Sequence, residues 1–297
     1  MGVKGCWQLL RNKGYVPDVS GKPCSPSPAS KIRVDVCGSY FSTISYAYGC
    51  SHPNVNDSHR LLERQLISLG DKDKLVLYVD GYPAAEKADT HHLREQRRVQ
   101  ASERANSALD KLNARLETNK RIRKHHIGSA KKAIKSAFYW TMDSRQAFVE
   151  FMASQGYNIT LCLTEADVQI AADCNEDDVV VTGDSDLLFY ESVRVVCRPL
   201  GRGASRRFGH YHKAGILETL CLTSTQLVAL AVISGNDYTN NIPSLGIETN
   251  HKLIMNLRYQ DVVSTVQQYL ILPTVRRKID KDEKNDWTLA SFGSAIK

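Results

Sequence analysis

The sequence predicts an α/β protein built on a mostly parallel sheet that helices cover on both faces. Four short runs of apolar and β-branched residues predict strands, and stretches with helical periodicity separate them. Strands that alternate with helices favour parallel pairing, because each crossover helix returns the chain to the same edge of the sheet. The 297 residues are 42% hydrophobic and 24% charged, which is typical of a globular protein with a full core.

Each predicted strand has acidic residues at or just after its carboxyl end. The strands are residues 32–36, 75–80, 158–163 and 179–182. The acids that accompany them, in chain order, are Asp35, Asp80, Glu165, Asp167, Asp184 and Asp186. In parallel sheets the functional crevice lies beyond the carboxyl ends of the strands, so we expect these acids to converge there.

Acids gathered in one crevice need protons or cations. Two like charges about 4 Å apart repel by about 4 kcal/mol at an effective dielectric near 20. Oxygen ligands without histidine or cysteine suit a hard divalent ion, so we predict Mg²⁺, with Mn²⁺ as a substitute. Two such ions are suited to in-line phosphoryl displacement. A single acid at a strand end more often caps a helix or turn, so the prediction depends on all four strand ends.

One segment carries the excess positive charge. The net charge is +7, while residues 91–136 contain 13 basic and 4 acidic residues, a local +9, which leaves −2 for the rest. Such asymmetry indicates a polyanionic partner that one element engages. The alternative is a solvated charged helix.

The basic segment has the pattern of two helices. Apolar residues at three- and four-residue steps from 101 to 116 predict the first helix, and residues 130–140 predict the second, after a basic link at 119–128. Two such helices form an electrostatic clamp for a phosphate backbone. Its candidate contacts are Lys120, Arg121, Arg123, Lys124, Lys131, Lys132 and Lys135.

A third element is a helix–turn–helix near the end of the predicted core. An apolar helix ends at Gly235, Asp237 follows in a turn, and a second helix is predicted at 251–257. Backbone N–H groups at such a turn bind a phosphate without reading sequence.

Several classes of protein do not fit this sequence. The eight cysteines include no C-x-x-C pair, so we expect neither a structural zinc site nor a secreted disulfide framework. No apolar run approaches the roughly 18 residues of a membrane span, and the N-terminus does not look like a secretory signal. We therefore expect an intracellular protein with no membrane partner.

In order along the chain, these motifs resemble those of the XPG-like nucleases, the flap endonuclease superfamily, from Met1 to about Leu257. The opening Met-Gly-Val-Lys-Gly is similar to the family's N-terminus, in which Gly2 lies near the metals and the nucleic acid. Residues 78–83 resemble its Asp-Gly-x-Pro block, 165–167 and 184–188 its two metal-binding motifs, and 234–238 its Ser-Gly-x-Asp-Tyr block.

The resemblance assigns roles to individual residues. Lys87 and Arg94 would reach the scissile phosphate beside Asp184, with Arg97 and Arg98 following. Seven carboxylates would hold two metal ions: Asp35, Asp80, Glu165, Asp167, Asp184, Asp186 and Asp237.

Further nucleic-acid contacts are implied outside the acids. Tyr40 or Phe41 would stack on a base, the alternative being an aromatic ring buried on the first helix. Gly246 lies in the hairpin that usually coordinates a potassium ion, although Ser244 replaces the hairpin's first glycine.

The resemblance also implies a domain plan. It predicts one nuclease domain at 1–257, with a helical arch at about 88–140 and a helix–two-turn–helix at about 225–257. Residues 258–297 are a C-terminal extension of no assigned role, and 14–30 are an expected irregular loop. The tail at 280–297 contains no sliding-clamp peptide, so either no clamp is used or the natural chain continues beyond Lys297.

The expected activity is structure-specific, metal-dependent 5′ cleavage of branched DNA such as 5′ flaps, by a monomer in the nucleus acting in DNA repair or replication. The long arch favours a flap endonuclease or exonuclease over a junction resolvase. A 5′→3′ exonuclease on nicked, gapped or RNA substrates stays open, as does a non-catalytic junction-binding scaffold.

Overall fold

The computed structural model of the protein describes residues 2–23, 27, 29–51, 54–84, 87–201, 206–282, 285 and 287–293. Within them the chain forms one seven-stranded sheet of order β1-β7-β6-β5-β2-β3-β4. The strands are β1 Asp18–Ser20, β2 Ile32–Asp35, β3 Leu75–Val79, β4 Asn158–Leu161, β5 Val179–Val181, β6 Val195–Leu200 and β7 Arg207–His212.

The predicted α/β class and its mostly parallel sheet are confirmed. The pairings β2–β3, β2–β5, β3–β4 and β5–β6 are parallel, while β7 runs antiparallel to β6 and β1. The four predicted strands are β2 to β5, and the parallel strand β6 was not predicted. Strand β1 corrects the expectation of an irregular loop at 14–30, because its backbone pairs with β7.

Helices cover the sheet and extend from it. They are α1 Cys6–Asn12, α2 Val36–Tyr46, α3 Val55–Ile67, α4 Ala88–Glu117, α5 Lys124–Ala137, α6 Met142–Ser154, α7 Ala166–Asp173, α8 Lys213–Leu220, α9 Ser224–Ile233, α10 Ile247–Ile254, α11 Val262–Ile271 and α12 Pro273–Ile279. Among the described residues no single helix is long and apolar enough to span a bilayer; α8 and α9 pass that test only together, bent by 79°.

The central strands are apolar on both sides because helices cover both faces. Every residue of β2, β3 and β5 is buried, as expected for a doubly covered parallel sheet. Alternation divides their side chains between two cores: Val180 points into one, and Val179 and Val181 into the other. The rigid sheet thereby fixes the positions at which its strands end.

The two basic helices are present as α4 and α5, which pack against each other. The second begins at Lys124 and ends at Ala137, so its predicted bounds of 130–140 were wrong by several residues at the start. At about 1.5 Å per residue, the 30 residues of α4 extend roughly 45 Å.

Several side chains after residue 257 are part of the hydrophobic core. Val266, Tyr269 and Val275 are buried with the side chains of α9 and α10, and so are Trp287 and Phe292.

Candidate active site

Asp35 ends β2 and caps α2. Its Oδ1 accepts the backbone N–H of Gly38 at 2.8 Å. Its Oδ2 accepts the hydroxyl of Thr182 at 2.8 Å, and the Thr182 hydroxyl oxygen in turn accepts the backbone N–H of Asp184 at 3.0 Å. A Cβ on Gly38 would lie 2.0 Å from Asp35, so only glycine lets the helix begin this close to the carboxylate. Strand ends β2 and β5 are therefore joined through one buried threonine.

Asp80 follows β3 and is joined to the start of α7. Its Oδ1 accepts the backbone N–H of Ala166 at 2.8 Å. Arg145 donates from Nη1 to the carbonyl oxygens of Asp80 and Gly81, at 2.9 and 3.0 Å. A Cβ on Gly81 would lie 1.9 Å from the carbonyl oxygen of Cys162. The loops after β3 and β4 are thus held together, which brings Asp80 to the acids of α7.

Glu165 is the centre of a cluster with Lys87 and Tyr238. Lys87 is 3% exposed, and its ammonium donates to Glu165 Oε2. The Tyr238 hydroxyl donates to the same oxygen at 3.2 Å, and the Lys87 ammonium lies 4.2 Å from the centre of the Tyr238 ring. A buried ammonium needs such partners, since burial penalises an unpaired charge heavily.

Asp184 and Asp186 follow β5. Asp184 Oδ1 accepts the backbone N–H of Asp186 at 3.2 Å, at the start of a short 3₁₀ turn, Asp186–Leu188. Oδ1 of Asp186 is buried and has no hydrogen-bond partner among the residues that the structure describes. The hydroxyl of the adjacent Ser185 is in the same state. Buried polar atoms are rarely left unsatisfied, so these two atoms indicate a place where a ligand would bind.

Asp237 lies in the turn after α9. Arg94 of α4 donates from Nη2 to Asp237 Oδ2 at 2.6 Å. The backbone N–H of Lys4 donates to the carbonyl oxygen of Gly235 at 2.9 Å. The turn is therefore attached both to the basic helix and to the N-terminal segment.

The seven carboxylates form one electrostatic network. Burial, and then the charge of Asp80, raises the pKa of Asp35 well above its ordinary value. Burial and the charge of Glu165 raise the pKa of Asp167 to about 6. Burial and the charge of Asp184 raise that of Asp186 to about 8, and Asp237 contributes as well. The negative charge of neighbouring acids therefore adds to the effect of burial on the pKa of Asp35, Asp167 and Asp186.

The donor set fits a hard divalent cation, since it consists of carboxylates with one orphaned oxygen and raised pKa values. In this conformation, however, no three histidine, cysteine, aspartate or glutamate side chains of the described segments lie close enough together to hold an ion. Two of the acids face cationic side chains instead, Glu165 with Lys87 and Asp237 with Arg94. These acids would have to exchange or share those partners to bind a metal.

Gly2 lies against Asp184. Its backbone is left-handed, with φ at 94°, and a Cβ there would lie 2.0 Å from Asp184 Oδ1. Any larger residue would press on that carboxylate.

The arch places its predicted contacts at the surface. Arg98 stacks over the half-exposed ring of Tyr139 at 4.1 Å and pairs with Glu95, while Arg97 is exposed. The remaining predicted arch contacts are all exposed: Lys120, Arg121, Arg123, Lys124, Lys131, Lys132 and Lys135.

The two candidate stacking aromatics differ in exposure. Tyr40 is fully buried, with the guanidinium of Arg206 4.5 Å from its ring, so its proposed contact with a base is a wrong prediction. Consecutive residues on α2 point in different directions, and Phe41 is 48% exposed, with its ring 6.1 Å from that of Phe138. Of the two rings, that of Phe41 is the exposed one.

The helix–turn–helix is α9 and α10 with the hairpin between them. Ser244 adopts the left-handed conformation, with φ at 65°, so the chain keeps a glycine-like turn with a serine side chain. Gly246 caps α10, and no atom lies within 4 Å of where its Cβ would be, so the backbone there is open to a ligand.

Sequence reasoning did not assign three residues of this site. The sequence indicated Tyr238 only as the neighbour of Asp237, and it indicated Thr182 only as the last residue of a predicted strand. Arg145 gave no signal, since its role depends on two backbone carbonyls that are distant in the chain.

Comparisons with known proteins agree with this geometry. Residues 158–237, which include five of the seven carboxylates, match the XPG I-region family. The chain is 25% identical over 119 residues to Exonuclease 1 of Arabidopsis thaliana, covering 39% of this chain and 16% of that protein. It is 24% identical over 198 residues to Exonuclease 1 of Oryza sativa subsp. japonica, covering 64% of this chain and 22% of that protein. The matched region is thus about one fifth, or less, of the length of these curated relatives.

The fold has counterparts among solved structures. The catalytic core of Rad2 in complex with DNA substrate superposes with a TM-score of 0.59 at 16% identity, over 100% of this chain and 85% of that one. Human GEN1 in complex with Holliday junction DNA superposes with a TM-score of 0.52 at 17% identity, over 99% of this chain and 64% of that one. Together with the XPG I-region match, they confirm the predicted resemblance to the XPG-like nucleases.

Proposed function

We propose that this protein is a divalent-metal-dependent 5′ nuclease that cleaves phosphodiester bonds in branched DNA such as 5′ flaps. The observation that carries the proposal is the contact between acids and arch: Lys87 and Arg94, just before and within α4, pair with Glu165 and Asp237. Acids that bind cations and a basic element that binds polyanions thus meet at one place, which is what phosphodiester hydrolysis requires.

The seven carboxylates would hold two Mg²⁺ ions, with Mn²⁺ as a substitute. Such ions supply Lewis-acid assistance to phosphodiester hydrolysis when bound. Asp186 is the acid with the clearest need of a ligand, because its buried Oδ1 has no hydrogen-bond partner in the described part of the chain.

Lys87 and Arg94 would neutralise the charge that builds up on the transferring phosphoryl group. Both are already held against acids of the site, so a short side-chain movement would bring either cation to a phosphate bound there. Fixed cations near developing negative charge typically contribute two to three orders of magnitude in rate.

Binding would come from charge and shape rather than from base sequence. The exposed cations of α4 and α5 would contact the phosphate backbone, and the backbone at Gly246 would contact a second phosphate and the predicted potassium ion. Phe41 would stack on a base beside the junction. We place the protein in the nucleus, as a monomer that acts in DNA repair or replication.

A second candidate is a 5′→3′ exonuclease, which the similarity to two plant Exonuclease 1 proteins favours. An RNA substrate is compatible with the same site. A non-catalytic scaffold is disfavoured because all seven metal-site positions are acidic.

The test is a panel of labelled 5′-flap, nicked, gapped and blunt duplexes, with DNA or RNA arms, in Mg²⁺ and in EDTA. We expect Mg²⁺-dependent release of whole flaps that end in a 3′-hydroxyl, with the new 5′-phosphate left on the duplex. Mononucleotides would indicate the exonuclease, and binding without cleavage the scaffold. Asp186→Ala should be inactive yet bind, while Asp177→Ala, which removes an exposed acid from the other end of β5, serves as the matched control.

A further inference from the structure

Two large apolar side chains are exposed on the loops that carry acids after β3 and β4. Tyr82 is 68% exposed and Leu163 is 90% exposed. Tyr82 follows Asp80 by two residues, and Leu163 precedes Glu165 by two. Two residues of extended chain span at most about 7 Å, so each apolar side chain starts within that distance of an acid. Neighbouring apolar side chains beside charged groups are typical of an interaction surface, whereas a single exposed one is common anywhere.

The backbone holds Tyr82 and Leu163 next to each other. The backbone N–H of Tyr82 donates to the carbonyl oxygen of Leu163 at 3.1 Å, and that of Gly81 donates to the carbonyl oxygen of Thr164 at 2.6 Å. Arg145 binds the carbonyl oxygen of Gly81 from the other side of the loop, at 3.0 Å. The two side chains therefore project from backbone that is already fixed, which lowers the entropic cost of binding a ligand there.

Cationic side chains of the arch base adjoin this pair. The guanidinium of Arg145 lies 5.9 Å from the centre of the Tyr139 ring, and that of Arg98 lies 4.1 Å from it. The Tyr139 ring is thus already occupied by cations. In the part of the chain that the structure describes, the Tyr82 side chain has no hydrogen bond, ring contact or cation partner. Its ring is available to a flat ligand, and the neighbouring cations favour one that belongs to a polyanion.

We infer that Tyr82 and Leu163 form a platform for a nucleobase next to the phosphate that is bound at the acids. The inference rests on the proposed function, since that function brings a phosphodiester to the acids. Aromatic side chains stack on bases of any sequence, because every base has a π face. Phe41 belongs to α2, which follows β2, so it would contact a different base. The platform would add a contact that depends on the presence of a base and not on its identity.

The experiment crosses protein variants with abasic substrates. The platform variant is Tyr82→Ser/Leu163→Ser, and Tyr82→Phe keeps the ring. The matched control is Tyr259→Ser/Ile271→Ser, which removes an exposed tyrosine and an exposed aliphatic side chain near α11. The substrates are flap duplexes, intact or with one abasic residue at either of the two nucleotides on each side of the junction. Circular dichroism melts would verify that each variant is folded.

Fluorescence anisotropy would measure affinity under two conditions that keep the DNA uncut. One is EDTA, and the other is Mg²⁺ with Asp186→Ala added to every protein. On the intact flap we expect the platform variant to bind about 5- to 100-fold more weakly than wild type, the range measured for one stacked base. Tyr82→Phe should bind like wild type. At one abasic position, wild type should lose affinity while the platform variant loses little more, because the two changes remove the same contact.

The salt dependence separates this contact from a phosphate contact. The log–log salt slope of the platform variant should equal that of wild type, because no cation is removed. A slope lower by about 0.7 or more would indicate a lost phosphate contact and overturn the inference. Losses that add at all four abasic positions, or a loss no larger than that of the control, would also overturn it. Wild-type affinity in the platform variant would assign the pair to another partner, such as a protein.

Failure of the platform and failure of the proposed function are distinguishable. A protein that cleaves flaps but shows additive losses retains the proposed function and refutes the platform. A protein that shows the non-additive loss yet cuts nothing in Mg²⁺ supports the platform and refutes the nuclease. A protein that binds none of the duplexes refutes both.

Discussion

Arg94 donates from Nη2 to Oδ2 of Asp237 at 2.6 Å, across 143 residues of chain. The contact attaches the second turn of α4 to the loop after α9. Lys87, just before the same helix, makes the matching contact with Glu165. The base of the arch is therefore connected to two acids of the site, and cations that bind those acids compete with arch side chains.

The two ion pairs should differ in their effect on stability. Lys87 is 3% exposed, so Lys87→Met leaves Glu165 without its buried partner and should cost about 3 kcal/mol of unfolding free energy in EDTA. The Arg94 side chain is 40% exposed, so Arg94→Ala should cost less than about 1 kcal/mol. Both should lower the cleavage rate roughly 10²- to 10³-fold. Urea unfolding and single-turnover cleavage would measure these effects; equal stability losses would contradict the assigned burial.

Stability without metal should fall as pH rises. Burial and the charge of Asp184 raise the pKa of Asp186 to about 8. The folded protein then keeps a proton that the unfolded chain releases near pH 4, so stability is full below pH 4 and declines up to about pH 8. For the Asp186 carboxyl alone, the free energy of unfolding should fall by up to about 1.4 kcal/mol per pH unit. Urea unfolding in EDTA from pH 5 to 8 should show it.

Asp186→Asn should make this decline shallower, because the amide does not titrate. Asp177→Asn, at an exposed position, should leave it unchanged. Identical slopes in wild type and Asp186→Asn would show that other acids carry the pH dependence.

Gly2→Ala should reduce cleavage strongly. Its Cβ would lie 2.0 Å from Asp184 Oδ1, and its φ of 94° disfavours any L side chain. The carboxylate or the N-terminal segment must then move, and shifts of about 1 Å in a site of this kind cost roughly 10²-fold in rate. Gly21→Ala is the control, since no atom lies within 4 Å of its Cβ and its φ is ordinary. Wild-type rates in Gly2→Ala would remove Gly2 from the site.

The exposed lysines of α5 should contribute to duplex binding. Replacing Lys131, Lys132 and Lys135 by alanine should reduce the log–log salt slope on flap DNA by up to about 2.7, at roughly 0.9 per phosphate contact. The same number of cations can be removed from α12, by alanine at Arg276, Arg277 and Lys278, without touching the arch. If the salt slope changed only in the α12 variant, the phosphate contacts would lie on α12 and not on α5.

The sequence was sufficient to predict a strand where its local pattern of apolar residues matches the burial of that strand in the fold. Apolar runs predicted β2, β3 and β5, because central parallel strands are buried on both faces and form continuous apolar segments. The run that predicted β4 forms the edge strand instead, and its residues are only partly covered. The acids after those strands could be expected to share an edge, because parallel strands end on the same side of the sheet.

Other features depended on contacts between distant residues. Strand β1 has only three residues, and its place in the sheet comes from pairing with β7, about 190 residues later. Tyr40 and Phe41 are adjacent in sequence, yet the packing of α2 buries one ring and exposes the other.

The sequence by itself determined four of the parallel strands, the acids after them and the positive charge of the arch, since each follows from residue type and spacing along the chain. Only the tertiary structure decided that Lys87 is buried against Glu165 and that cations line a groove between α4 and α5. It also decided that one oxygen of Asp186 is buried with no hydrogen-bond partner among the described residues. The physical reason is that burial and pairing depend on which surfaces meet, and periodicity within one element does not specify its neighbour.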